Sequence, residues 1–324
     1  MNQQELTDTK HPAASGGNGW AIARRGDASL RPGGRRLRPV SLVVAVLALV
    51  GVVLILLPTA AAWFSQASYS TQIQELNRLT QVADSGTKQE ALAAAHEYNA
   101  RLPGSALIAA GERLPQVVSS DGSPYDNARY QKLLASDPTG LMARIKIPKI
   151  GADLPIYHGT DESTLLQGVG HLEGTALPVG GPSTHSVLTA HRGLANAELF
   201  TRLDELKIGD TFTIEVYGEV LVYRIIETVV VAPDETQSLF PKQGEDLVTL
   251  VTCTPLGVNS HRILVTGERV TPTPPAAMQG AGSTPDIPGI PWWAAGLLGT
   301  VIALGFYVWR ASAPKEDAAG ESAE

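Results

Sequence analysis

The sequence predicts a mainly β domain, a closed or nearly closed barrel, preceded by a helical segment and flanked by two transmembrane helices. Three observations predict it. Long apolar runs without a charged residue lie at residues 42–64 and 290–309 of the 324-residue chain. From Met142 to Val270, short runs of alternating apolar and polar residues recur, with Gly, Pro, Asn and Asp clusters between them. Ahead of these, Ile73, Leu76, Leu79 and Val82 recur at helical spacing.

Taken in order, residues 1–41 are polar, rich in Gly and Arg and without a hydrophobic period, and they read as a disordered tail. The run from Leu42 to Phe64 is long enough to cross a bilayer, which takes about 20 apolar residues. A cleaved signal peptide fits it less well, because the run is too long and Ala60-Ala61-Ala62 lies inside it. Residues 65–141 form a helical pre-barrel segment. Ser70 to about Tyr98 is expected to be two helices broken at Gly86, and Asp126–Ala135 a further short one.

Strands are expected in the barrel, residues 142–270, at Met142–Ile147, Leu154–Tyr157, Ser186–Ala190, Thr211–Tyr217, Val220–Val231, Leu247–Thr252 and Arg262–Val270. That many short strands with few helices between them point to a barrel. Residues 271–289 are rich in Pro, Gly and Thr and read as a semi-rigid linker. The second span, 290–309, carries Trp292 and Trp293 at one end and Tyr307 and Trp309 at the other, as interfacial belts do. A short tail, 310–324, follows.

Charge orients the spans. Residues 1–41 carry seven Lys/Arg against three Asp/Glu, with Arg31, Arg35, Arg36 and Arg38 abutting the first span, and Arg310 and Lys315 follow the second. Basic residues near span ends stay inside, so both tails are expected in the cytoplasm and residues 65–289 outside, in contact with the bilayer. That central part carries sixteen Lys/Arg against twenty-five Asp/Glu, an acidic balance that argues against nucleic acid as partner. Scattered His and one Cys give no metal-ligand spacing, and no Gly-rich phosphate loop is present, so neither metal nor cofactor is expected.

The candidate chemistry rests on three strand-end residues. The lone cysteine, Cys253, follows the alternating run Leu247–Thr252, and Pro255 and Gly257 stop the strand behind it. A lone thiol in an exported domain is either a small buried hydrophobe or a reactive group. His191 ends the strand Ser186–Ala190. It is either a loop histidine or a general acid and base for an amine. His185 opens the same strand, so only one of the two can lie near Cys253, and His261 points away from Arg262. Arg262 opens the last strand, nine residues after Cys253. It is either a solvated charge or a fork that holds a carbonyl and stabilises an oxyanion.

The run TLVTC (249–253), followed nine residues later by Arg, resembles the active-site signature of the sortases. IPKIGADLPIYHGT (147–160), GVGHLEGTALPVGGPSTHSVLTAHRGL (168–194), LFTRLDELKIGD (199–210) and EDLVTLVTCTPLGVNSHRILVTGERV (245–270) resemble the class C, pilin-polymerising branch. The resemblance implies an eight-stranded barrel with short helices. It makes Cys253 the nucleophile, His191 the catalytic histidine and Arg262 the catalytic arginine. It implies substrates that are secreted pilin or surface proteins with a C-terminal LPxTG-like signal, cleaved after Thr and joined to an amine, which in class C is a lysine of the next pilin. A housekeeping sortase that attaches proteins to the cell wall, or a cysteine peptidase that only hydrolyses, are the other readings.

Class C enzymes often carry a lid with Asp-Pro-aromatic over the active site. Here Pro124-Tyr125 matches the Pro-aromatic pair, but Ser123 stands where Asp is expected and Asp121 lies two residues earlier. A lid with Tyr125 as its plug is expected, or else a plain surface loop.

Overall fold

The computed structural model describes residues 38–102, 127–285 and 289–312. Its first helix, α1 (Pro39–Val82), runs without interruption for 44 residues, about 66 Å at ~1.5 Å per residue. Span and first pre-barrel helix are therefore one element. Its apolar first part is largely exposed, whereas Tyr69, Ile73 and Leu76 further on are buried against the barrel. The expected break at Gly86 is displaced. Helix α1 stops at Ala83, and the Asp84 carboxylate caps α2 (Ser85–Arg101) by accepting from the backbone N–H of Gly86 (2.8 Å) and Thr87 (3.0 Å). Gly86 thus sits inside the first turn, because the capping carboxylate and not the glycine decides where the helix begins. The third helix, α3, is only Asn127–Tyr130, shorter than expected; turns follow, and Leu134 takes a left-handed conformation (φ 56°) that no helix continues through.

Eight strands close the barrel: β1 (Leu141–Ile147), β2 (Ala152–His158), β3 (Val169–His171), β4 (Thr184–Thr189), β5 (Thr211–Val216), β6 (Glu219–Val231), β7 (Asp246–Thr254) and β8 (His261–Arg269). Around the ring they run β1-β2-β3-β4-β7-β8-β6-β5. The pairs β2–β3 and β4–β7 are parallel and the others antiparallel. Strand β3 is an addition to the strands read from sequence. It is reached through the short helix α4 (Glu162–Gln167), the crossover a parallel pair requires. Inward-facing Ile145, Leu188, Phe212, Ile214, Leu250 and Val265 are fully buried. Gly267 lets the stacked Phe212 and Tyr223 rings close over β8: a Cβ there would lie 2.6 Å from the Phe212 ring.

The segment read as a semi-rigid linker is held to the barrel. After α5 (Pro275–Gln279), Arg144 donates to the Ser283 carbonyl (2.7 Å), and Lys146 donates to the Gly280 carbonyl (3.0 Å) and Ser283 Oγ (2.9 Å). The Gly282 N–H donates to Glu215 (3.1 Å), which also pairs with Lys146 (2.6 Å), and Asp153 holds the buried Arg144 through both oxygens. Asn77 of α1 donates to the Gly282 carbonyl (3.3 Å). Polar backbone in a Pro/Gly-rich stretch thereby finds partners on β1 and β5, which its own composition does not reveal. The second apolar helix, α6 (Trp292–Ala311), packs on α1, where Trp63 Nε1 donates to the Gly289 carbonyl (2.9 Å) and meets Trp293 edge-on. Both α1 and α6 are long and apolar enough to cross a membrane.

His158, His171 and His185 are buried in or against the barrel wall. His171 bonds the Tyr130 hydroxyl at Nδ1 (2.8 Å) and donates from Nε2 to the Ala176 carbonyl (2.9 Å), in a fully buried setting that favours the neutral ring. Burial pulls its pKa down to about 3. Below pH ~6.5 the unfolded chain therefore takes up a proton that the folded protein refuses, and stability falls by about 1.4 kcal/mol per pH unit from this residue alone until about pH 3. The expected outcome is a melting temperature that drops on acidification from pH 7, with the His171 ring resonances unchanged down to pH 4 by NMR. Titration of that ring near pH 6.5 would contradict the buried neutral pair.

Candidate active site

Strand β7 lies between β4 and β8, and that placement assembles the site. In the antiparallel pair Cys253 stands directly opposite Arg262. In the parallel pair Thr189 stands beside Val251, the Ala190 N–H donates to the Val251 carbonyl (3.1 Å), and Thr252 Oγ1 donates to the Ala190 carbonyl (2.8 Å). His191 follows at once, level with Cys253. Adjacent strands lie about 4.8 Å apart, so the backbone brings the three expected residues to one end of the wall, with Cys253 on the middle strand. His185 is at the other end of β4, beside Leu247, where its ring bonds Thr249 Oγ1 (2.7 Å) and the Phe240 carbonyl (3.1 Å). His261 is exposed and bonded to Ser260 (2.9 Å).

Strand alternation settles which face these residues use. Val248 and Leu250 point into the barrel core, whereas Val187, Val251 and Leu264 form a separate buried cluster on the outer face, joined by Leu172, Val229, Val231 and Leu239. Cys253, Arg262 and Val231 share the parity of that outer cluster. The thiol, itself half-buried, therefore terminates an apolar stripe on the outside of the barrel.

Arg262 Nη1 donates to the carbonyls of Asn259 (2.9 Å) and His261 (3.0 Å), leaving Nε and Nη2 without a hydrogen bond among the described residues. The fork is held by its own loop while part of it stays available. The His191 Nε2 atom is buried without a hydrogen bond, with Glu162 Oε1 of α4 3.4 Å away. Gly193, in a left-handed conformation, lets this loop slide under Leu256 of the β7–β8 loop, where a Cβ would lie 2.4 Å from Leu256. Such a site can attack an acyl carbon with sulfur, donate to an oxyanion and move a proton at an imidazole. The expected lid residues, Asp121, Pro124 and Tyr125, lie outside the described residues. Among those described, no group of three or more His, Cys, Asp or Glu is placed to hold a metal ion.

Sequence reading missed Arg192. Its side chain donates to the Thr201 carbonyl (3.0 Å), to Thr254 Oγ1 (3.0 Å) and to Asp204 (2.7 Å). It therefore ties the residue after His191 to the residue after Cys253. Nothing in the local sequence points to this, because Arg192 and Thr254 meet only through the parallel β4–β7 pairing.

Comparison with known proteins gives relatives of one family. A family description, Sortase domain, matches residues 145–270. The chain is 32% identical to Sortase D of Bacillus subtilis (strain 168) over 161 residues, 48% of this chain and 78% of that protein. Among solved structures, sortase C-1 from Actinomyces oris is 49% identical with a TM-score of 0.50, covering 56% of this chain and 98% of that one. Sortase C from Streptococcus pneumoniae is 38% identical with a TM-score of 0.54, covering 62% and 96%. Sortase C1 from Streptococcus agalactiae is 40% identical with a TM-score of 0.54, covering 62% and 98%.

If Arg192 braces the site, Arg192→Met should destabilise the protein by about 1–3 kcal/mol, since it strands the Thr201 carbonyl and Thr254 hydroxyl. Asp204 is half-exposed, so Asp204→Asn should cost less than about 1 kcal/mol. Chemical denaturation of the two variants checks this, and equal losses would place the brace at the carboxylate instead.

Proposed function

This chain belongs to the sortase family, and we propose that it is the pilin-polymerising kind, anchored by α1 and α6 with both tails cytoplasmic and the barrel outside. Arg31, Arg35, Arg36 and Arg38 before the first apolar helix, and Arg310 and Lys315 after the second, support the orientation. The likeness to the Streptococcus pneumoniae sortase C, described for its pilin substrate specificity, supports the substrate class.

The observation that carries the mechanism is the pairing of Cys253 with Arg262, with Ala190-His191 tied to the other side of β7. A sorting-signal peptide of LPxTG type lies along the apolar stripe that ends at Cys253. The Cys253 sulfur attacks the Thr carbonyl carbon as the thiolate, with His191 carrying the proton. The oxygen that gains negative charge faces the free donors of Arg262. As the Thr–Gly bond breaks, His191 gives its proton to the departing glycine nitrogen, leaving a thioester. A lysine amine then attacks the thioester carbon, His191 takes the amine proton, and sulfur leaves as the thiolate. One amide bond is broken and one isopeptide bond is formed, so no external energy source is needed. Anchoring suits this chemistry, because enzyme and membrane-held substrates meet at raised effective concentration.

Incubation of the full-length protein in detergent with an LPxTG-type peptide and a lysine amide tests the proposal by mass spectrometry. The expected product is the peptide joined through the lysine side chain. Cys253→Ala should abolish it, His191→Ala lower it by about 10²–10⁴-fold, and Arg262→Ala by about 10²–10³-fold. Cleavage that gives the free acid at every amine concentration would support the hydrolytic reading, and cleavage that survives Cys253→Ala would remove the nucleophile.

A further inference from the structure

Among the described residues, the charged groups around the catalytic end differ in how they are held. Arg192 is committed to Asp204, Thr201 and Thr254, and Arg262 Nη1 to two loop carbonyls. Glu162 is different. Its carboxylate pairs with no Lys or Arg among the described residues, its side chain is 63% exposed, and its one close charged neighbour is His191, with Oε1 3.4 Å from Nε2. The His191 nitrogen is itself buried and makes no hydrogen bond. The two groups therefore face each other at the site's rim without engaging.

Glu162 is also well placed by its backbone. It is the first residue of α4, whose N-cap Asp161 accepts from the Thr164 N–H (2.8 Å) and the Ser163 hydroxyl (2.7 Å), while Thr164 Oγ1 donates to the His158 carbonyl (3.3 Å) of β2. The carboxylate is thus carried on a fixed turn at the mouth of the site.

We propose that Glu162 is the specificity-determining residue for the acceptor, the carboxylate that receives the incoming primary ammonium and holds it against His191. This rests on the aminolysis reading above. A lysine side chain arrives charged, since its pKa is about 10.4, and must lose a proton before it can attack. Nε2 is buried in the free protein, so the exposed Glu162 side chain moves aside to admit the ammonium nitrogen, which then sits about 2.9 Å from both atoms. From that position one N–H⁺ points to the carboxylate and another to the imidazole. The ammonium passes one proton by way of the Glu162 carboxylate to solvent, the neutral amine attacks the thioester carbon, and its second proton goes to His191 as the thiolate leaves. Attraction of a cation to a carboxylate at this rim also discriminates against water and against uncharged acceptors.

The experiment uses the full-length protein, an LPxTG-type peptide and two acceptors in competition: lysine amide, which is cationic at neutral pH, and hydroxylamine, which is not. The quantity read is the ratio of the two acyl products. In Glu162→Gln the preference for lysine amide should fall about tenfold relative to wild type. Glu162→Asp should restore part of it, and Glu162→Lys should favour hydroxylamine further. Because the side chain is exposed, folding of these variants is checked by a melting curve alone. An unchanged product ratio in Glu162→Gln and Glu162→Lys, whatever the absolute rates, would overturn the proposal. A wild-type protein that cleaves the peptide but transfers it to neither acceptor would instead overturn the aminolysis reading on which it rests.

Discussion

The register of β7 between β4 and β8 is the constraint from which the site follows. Antiparallel pairing puts Cys253 opposite Arg262, and parallel pairing puts Ala190 beside Val251 and His191 beyond it. Side chains alternate strictly along a strand, so a slip of one residue would turn Cys253 inward and bring Thr252, which is fully buried, to the outer face. Two buried clusters resist that slip from opposite sides. Val248 and Leu250 belong to the barrel core, and Val251 with Val187 and Leu264 to the outer cluster. The apolar stripe that leads to the thiol is therefore also what keeps the thiol facing it.

The opposite wall of the barrel holds the long apolar helix and the chain that follows the barrel. Going around the ring, β1 is four strands from β7. On that far wall Arg144, Lys146, Asp153 and Glu215 grip residues 280–283, and α1 packs through Tyr69, Ile73 and Leu76. A buried ion network of this kind adds little net stability, but losing one partner leaves a charge unpaired at a cost of several kcal/mol. Its effect is to fix the chain on both sides of the barrel to one wall. The strands that carry Cys253 and Arg262 lie on the other side of the ring from this grip.

The reach of the sequence can be judged residue by residue. Cys253 and Arg262 were legible because a nine-residue offset across a turn rich in Pro, Gly and Asn is a local feature. His191 was legible as a strand end. Seven strands follow from alternation, but Val169-Gly170-His171 is too short to alternate visibly, and its partner β2 is reached only through α4. The helix break was misplaced to Gly86 because a glycine is a visible signal, whereas Asp84 declares itself a cap only once its bonds to Gly86 and Thr87 are seen. Arg192, Glu162 and the grip on residues 280–283 were hidden for a common reason: each joins segments far apart in the chain, and no local pattern encodes which surfaces will meet.

The account stands on Arg262 and His191 flanking one carbonyl held on Cys253. The most direct measurement is a crystal structure of the protein with a thiol-reactive LPxTG-type peptide analogue bonded to that sulfur. The account predicts the carbonyl oxygen within about 3.2 Å of a guanidinium nitrogen of Arg262, the imidazole of His191 on the other side of the adduct, and the peptide lying over Val187, Val251 and Leu264. An adduct whose carbonyl faces solvent, with Arg262 turned wholly into its own loop and the peptide off that stripe, would contradict it.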